Sequence, residues 1–257
     1  RPTLLAAAVC LAGSIGIAAE PTTPTPEPAM PTIEHLTGEV EEAPAIRYVV
    51  TPPVDYDADP ERLWPAVIRL HGSGRKDPDR IFAVEPDARF LQITPLTDRF
   101  GWDSDLLATM LQRVQATHRV DRDRVYVMGF SMGGRGAWDL ASEHPHLVAA
   151  IVPIGGWGDL WKITRRMRHV PVWAFHGGQD DAVPPVAAEY SVAALQRAGG
   201  DARLTVFPDA GHTCQDRVYA DAAVYDWLLA QRRQTRAPDE FVACAGSARR
   251  TAAPGST

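Results

Sequence analysis

The chain has 257 residues, 45% of them apolar and 23% charged, with a formal net charge of −6. That length supports one sizeable α/β domain with a well-buried core, and the composition is that of an ordinary soluble globule. The acidic balance offers no basic footprint for nucleic acid.

In chain order, Leu4 to Ala19 is almost wholly apolar and small and follows Arg1, as in the h-region of a secretory signal peptide. Ala18 and Ala19 suit a cleavage site, so export to a secreted or periplasmic location is expected, with no membrane partner once the signal is removed. A lone membrane anchor is the alternative, and the stretch is short for a span. Glu20 to Pro31 carries Pro21, Pro24, Pro26, Pro28 and Pro31, which make a stiff linker unable to build a core. The expected organisation is a signal peptide over 1–19, a linker over 20–33, a folded domain over 34–236 and a tail over 237–257.

Glu39 to Val50 reads as an opening strand or hairpin closed by Thr51-Pro52-Pro53. Pro65 to Leu70 is a buried-type strand ending in His71-Gly72-Ser73-Gly74, and Arg89 to Ile93 is the next. Asp105 to His118 is a helix with Leu106, Leu107, Met110, Leu111 and Val114 on one face. A strand from Val125 runs into Gly129-Phe130-Ser131-Met132-Gly133, followed by helix-compatible Arg135 to Glu143. Apolar strands recur at Ala149 to Ile154, Val170 to Phe175 and Ala202 to Phe207, with a helix over Pro184 to Ala198. A single closing helix over Asp216 to Arg232 has Val218, Ala222, Tyr225 and Leu229 on one face. Short apolar strands alternating with helices indicate an α/β fold, a mostly parallel sheet with helices on both faces. Reactive loops in such a sheet gather beyond the C-terminal strand ends.

Gly-x-Ser-x-Gly between a strand and a helix is the nucleophile-elbow pattern, in which glycines leave room for a tight turn that presents the serine. A serine hydroxyl needs a base within reach and a carboxylate to orient that base. Of the histidines after Ser131, His144 and His146 flank Pro145 at a helix end, His169 precedes a strand, and His176 ends one and reads as structural. His212, in a Gly-containing loop after the last strand, is the candidate base. Asp180 and Asp181 compete for the acid, while Asp209 reads as a turn residue. Trp102 and Trp157 follow strand ends and are candidates to line a substrate cleft, Trp157 within a flexible Gly156-Trp157-Gly158 frame. The histidines lack a metal-ligand spacing and no Gly-x-Gly-x-x-Gly opens a helix, so neither metal nor cofactor is expected.

Leu70-His71-Gly72-Ser73-Gly74, Gly129-Phe130-Ser131-Met132-Gly133-Gly134, His176-Gly177-x-x-Asp180-x-x-Val183-Pro184 and Gly211-His212 together resemble secreted α/β-hydrolase esterases of the dienelactone-hydrolase-like and feruloyl-esterase/polyhydroxybutyrate-depolymerase-like groups, which include predicted peptidases. The resemblance implies Ser131 as nucleophile, Asp180 as acid and His212 as base, with the backbone N–H groups of Met132 and Ser73 as oxyanion hole. It implies a small or polymer-attached ester as substrate, plant-polymer esters among them. One departure is Arg75-Lys76-Asp77 in place of the glutamate-containing run often found there. A serine peptidase on the same fold is the alternative function, and an inactive binding module is a third. Finally, Cys10 leaves with the signal peptide, so Cys214 and Cys244 are expected to pair, tethering the tail across the His212 loop.

Overall fold

The computed structural model describes residues 32–36, 46–73 and 89–234. The signal segment, most of the linker, Arg75 to Asp77, Cys10, Cys244 and the tail lie outside the described residues. Eight strands form one sheet: β1 (Thr32–Leu36), β2 (Ile46–Thr51), β3 (Trp64–Leu70), β4 (Leu91–Leu96), β5 (Val120–Phe130), β6 (Ala150–Ile154), β7 (Val172–Gly177) and β8 (Ala202–Phe207). Their spatial order is β1-β2-β4-β3-β5-β6-β7-β8. β1 and β2 join antiparallel, and β3 to β8 run parallel. The sheet therefore starts at Thr32, within the stretch read as linker.

Alternation of side chains across the pleat divides the core in two. Ala66, Ile68 and Leu70 of β3 and Val125 and Val127 of β5 face one apolar cluster, while Val67, Tyr126 and Met128 face the other. Helices α1 (Ser104–Thr117), α2 (Met132–Glu143), α3 (Leu160–Arg166) and α4 (Pro185–Arg197) cover the first face. Helices α5 (Gln215–Tyr219) and α6 (Ala222–Ala230) cover the second. This is the α/β-hydrolase architecture, and no described helix is long and apolar enough to cross a membrane.

Local chemistry sets the helix bounds. Asp103 caps α1 by accepting from the Leu106 N–H at 3.0 Å, and Leu107, Met110, Leu111 and Val114 are buried as expected. The closing helix differs from its reading. Asp221 accepts from the Ala223 N–H at 2.9 Å and starts a new helix, so the expected single helix is two. The break changes the phase: Val224, Tyr225 and Leu228 are buried, while Ala222 is exposed. Helix α3 carries no apolar stripe, burying only Ile163, and it is held by Asp159 accepting from the N–H groups of Trp161 and Lys162.

Chain order reverses at β3, with β4 on one side and β5 on the other. A parallel sheet opens a crevice at such a switch point, beyond the C-terminal strand ends. His71 and Ser131 stand at the ends of the two strands that flank it.

Candidate active site

β5 ends at Phe130 and α2 begins at Met132, so Ser131 alone turns the corner. It has φ 55° and ψ −115°, and it is the one non-glycine residue with positive φ among the described residues. Such a conformation costs ~1–3 kcal/mol and persists only where its surroundings impose it. Here they do. A Cβ at Gly129 would lie 2.2 Å from Gly133 O, and one at Gly133 would lie 2.0 Å from Leu70 O. The start of α2 is thus pressed onto both strands. The Ser131 N–H donates to Ile154 O at 2.8 Å and its carbonyl accepts from the Arg135 N–H at 3.0 Å, which fixes the corner from both sides.

Over this serine lies His212, in the loop after β8. Its Nε2 is 2.9 Å from Ser131 Oγ and its Nδ1 is 2.8 Å from Asp180 Oδ2. The carboxylate accepts, so Nδ1 carries the hydrogen and Nε2 presents a lone pair to the hydroxyl. The imidazole is half-buried against the Phe130 ring, centroids 4.9 Å apart. Close approach of backbones places its loop: a Cβ at Gly177 would fall 2.0 Å from Gly211 O.

The Asp180 side chain has no solvent exposure. Oδ1 accepts from the N–H groups of Ala182 at 3.0 Å and Val183 at 2.8 Å, and His176 Nε2 lies 3.1 Å from Oδ2. Burial pushes this carboxyl up. The hydrogen bonds from His212, Val183 and Ala182 and the attraction of His212 outweigh burial and hold it below the usual carboxylate range. Asp181 is exposed, so between the two neighbours the geometry selects Asp180. Asp209 is paired with Arg217 at 2.8 Å, and His144 Nε2 is 2.8 Å from Asp105 Oδ1 at the end of α2.

The loop after β3 closes the other side. A Cβ at Gly72 would sit 3.4 Å from Ser131 Cβ, and exposed Ser73 follows it. His71 Nδ1 donates to Gly72 O at 2.7 Å, Nε2 accepts from the Thr97 N–H at 3.2 Å, and the His71 carbonyl accepts from Trp102 Nε1 at 3.2 Å. Met132 opens α2, with its sulfur 3.0 Å from the Gly101 N–H. Sequence reasoning left His71 without a role and read His176 as only structural; the recurrence of His-Gly at the ends of two strands is the signal that marks both.

The remaining candidates fall differently. Trp102 is largely buried, with its ring edge-on to His71 at 4.8 Å, and forms a wall of a cavity of about 370 Å³ beside β2 and β4. That cavity is not lined by Ser131 or His212. Trp157 is 38% exposed, 5.8 Å from the Arg135 guanidinium. Its frame is pinned rather than flexible: a Cβ at Gly156 would meet Gly134 at 2.5 Å, and the Gly158 N–H donates to Ser191 Oγ at 3.1 Å. Cys214 is 1% exposed and turned into the apolar cluster with Ala210 and Val218; Cys244, its expected partner, lies outside the described residues.

Residues 93–233, more than half of the chain, match the model of the "Dienelactone hydrolase family". The chain belongs to the dienelactone hydrolase family. A carboxymethylenebutenolidase homologue of Salmonella typhimurium is 33% identical over 36% of this chain and 37% of its own. Cutinase est1 of Thermobifida alba is 32% identical over 40% of this chain and 31% of its own. The matched segment thus spans about a third of the length of these curated relatives. The crystal structure of a thermostable esterase superposes with a TM-score of 0.64 at 25% identity, covering 78% of this chain and 63% of that one. Dienelactone hydrolase family membership and the α/β-hydrolase fold agree with the resemblance read from the four motifs.

Proposed function

We propose that this chain is an exported serine carboxylic ester hydrolase. His212 Nε2 takes the proton of the Ser131 hydroxyl as Oγ attacks the ester carbonyl. The backbone N–H groups of Met132 and Ser73 hold the oxyanion, each worth roughly 3 kcal/mol of barrier. As the tetrahedral intermediate collapses, the ester C–O bond breaks and the leaving alcohol takes the proton from His212. Water then repeats the sequence on the acyl-enzyme and frees Ser131. Asp180 keeps His212 in the Nδ1–H tautomer and stabilises the imidazolium formed on the way.

The observation that carries this reading is the unbroken line from Ser131 Oγ through His212 to Asp180, at 2.9 and 2.8 Å. The anchoring of the His71 and Gly72 carbonyls by Trp102 and His71 supports the assignment of the following N–H to the oxyanion. Similarity to a cutinase supports polymer-attached esters, plant-polymer esters among them, as the substrate class. Partly exposed Trp157, in the loop after β6, supplies an aromatic face for the acyl or alcohol group.

The protein is expected to hydrolyse short-chain nitrophenyl esters, with Ser131→Ala lowering kcat about 10⁶-fold at an unchanged fold. A serine-directed phosphonate should label Ser131. Undiminished turnover in the alanine variant would end the assignment.

A further inference from the structure

His176, the penultimate residue of β7, has no solvent exposure. Its Nε2 lies 2.9 Å from Val183 O and 3.1 Å from Asp180 Oδ2. A carbonyl only accepts, so Nε2 carries a hydrogen and donates it to Val183 O, with the Asp180 carboxylate standing beside that N–H. Nδ1 is buried without a hydrogen-bond partner. An apolar side chain of similar shape would fill the same space and bury no orphaned nitrogen, so packing alone does not account for the imidazole. What only a donor supplies here is the bond to Val183 O, made beside Oδ2, the oxygen that accepts from His212.

We propose that His176 is a positioning residue for Asp180; this rests on the Ser131–His212–Asp180 reading above. His212 on Oδ2 and two backbone donors on Oδ1 hold the carboxylate, and His176 Nε2 lies 3.1 Å from Oδ2 while it grips the far end of the same turn. Val183 is gripped twice, its N–H by Asp180 Oδ1 and its carbonyl by His176. The turn from 180 to 183 is thereby tied to the end of β7. The carboxylate cannot rotate away as His212 becomes charged during acyl transfer. His176 touches no substrate and acts only through Asp180.

The test uses two amides. His176→Gln keeps an N–H at the reach of Nε2, whereas His176→Asn ends at the reach of Nδ1. His176→Asn should lower kcat about 10²-fold with KM unchanged, and His176→Gln should recover most of the loss. In an Asp180→Ala background, both should turn over at the rate of Asp180→Ala alone. Wild-type kcat in folded His176→Asn, or the same loss in the Asp180→Ala background, overturns the proposal. If His176→Asn does not fold, His176→Leu, which keeps no donor, decides by NMR. A shift of the low-field His212 Nδ1 proton at unchanged melting temperature supports the proposal, and an unshifted resonance overturns it. Wild-type turnover in Asp180→Ala would bring down the site reading and this proposal together. A full loss there beside a silent His176→Asn removes this proposal alone.

Discussion

Ser131 stands at a corner made by atoms that are absent, whereas Asp180 stands in a turn made by hydrogen bonds that are present. At the corner, glycine backbones approach so closely that a Cβ at Gly133 would overlap Leu70 O at 2.0 Å, and the serine is held at φ 55°. At the acid, no described residue from Gly177 to Val183 has a strained positive φ, and three donors between 2.8 and 3.0 Å do the holding, with His176 Nε2 3.1 Å from the carboxylate. The first device is steric and all-or-none, because main chain cannot give way. The second is electrostatic and graded, because each donor can be removed separately.

The contrast is broken most directly at the acid. Asp180→Asn keeps the shape, but an amide cannot accept from an imidazole on one atom and backbone N–H groups on the other. His212 then loses its tautomer, and kcat should fall about 10⁴-fold in ester hydrolysis, with Asp181→Asn close to wild type. The same carboxyl has a stability signature. Its folded-state pKa is depressed, so its stabilising contribution is complete above the unfolded-state value and is lost as pH falls through the folded value. In urea titrations from about pH 6 down to pH 2, wild type should therefore lose stability faster than Asp180→Asn below about pH 4. Parallel curves would mean that the three donors do not hold the charged form.

Gly133→Ala probes the steric device. Leu70 O and His71 O would both lie within 3 Å of the new methyl, at 2.0 and 2.9 Å, and both are main chain. Destabilisation beyond about 4 kcal/mol is expected, read as a collapse of the urea midpoint or loss of soluble protein. A folded, active Gly133→Ala would show that the corner yields, and the steric account would fail.

A smaller effect separates strain from chemistry at Ser131. Both Ser131→Ala and Ser131→Gly abolish turnover, but only glycine enters positive φ without a Cβ penalty. Ser131→Gly should be more stable than Ser131→Ala by about 1 kcal/mol in calorimetry or urea titration. Equal stabilities would mean that the corner stores no strain.

These two devices also explain what the sequence made legible. The corner was readable because the glycine spacing is a local steric requirement, and the strands were readable because β3 and β5 alternate between two apolar faces. The acid was readable only to a pair. Asp180 and Asp181 are chemically identical, and burial inside the fold separates them; the motif resemblance made the choice in advance. The break at Asp221 hid inside an apolar pattern that continues on both sides of it. Helix α3 left no periodic trace because it buries only Ile163 and is held by its cap and by Lys162 paired with Glu143. His176 looked structural because what it serves, an oxygen four residues on, exists only once the turn has formed.

Cys214 carries the smallest expected effect, and here the count of cysteines and the burial of the side chain point different ways. An even number of cysteines in an exported chain suggests a bridge, but the count says nothing of where a side chain points. The Cys214 N–H donates to His212 O at 2.9 Å, and the thiol turns inward beside Ala210 and Val218. Burial is the leading cause that pushes its pKa up, so little reactive thiolate forms at neutral pH. Gly211 resting on Gly177 and the hydrogen bond to Asp180 hold the His212 loop. Reductant should therefore leave both turnover and melting temperature unchanged. In the native protein, alkylation of Cys214, read by peptide mass spectrometry, should await unfolding, and Cys214→Ala should cost about 1 kcal/mol with kcat intact. A melting temperature that falls on reduction would restore the bridge and move the support of the histidine loop from the core to the tail.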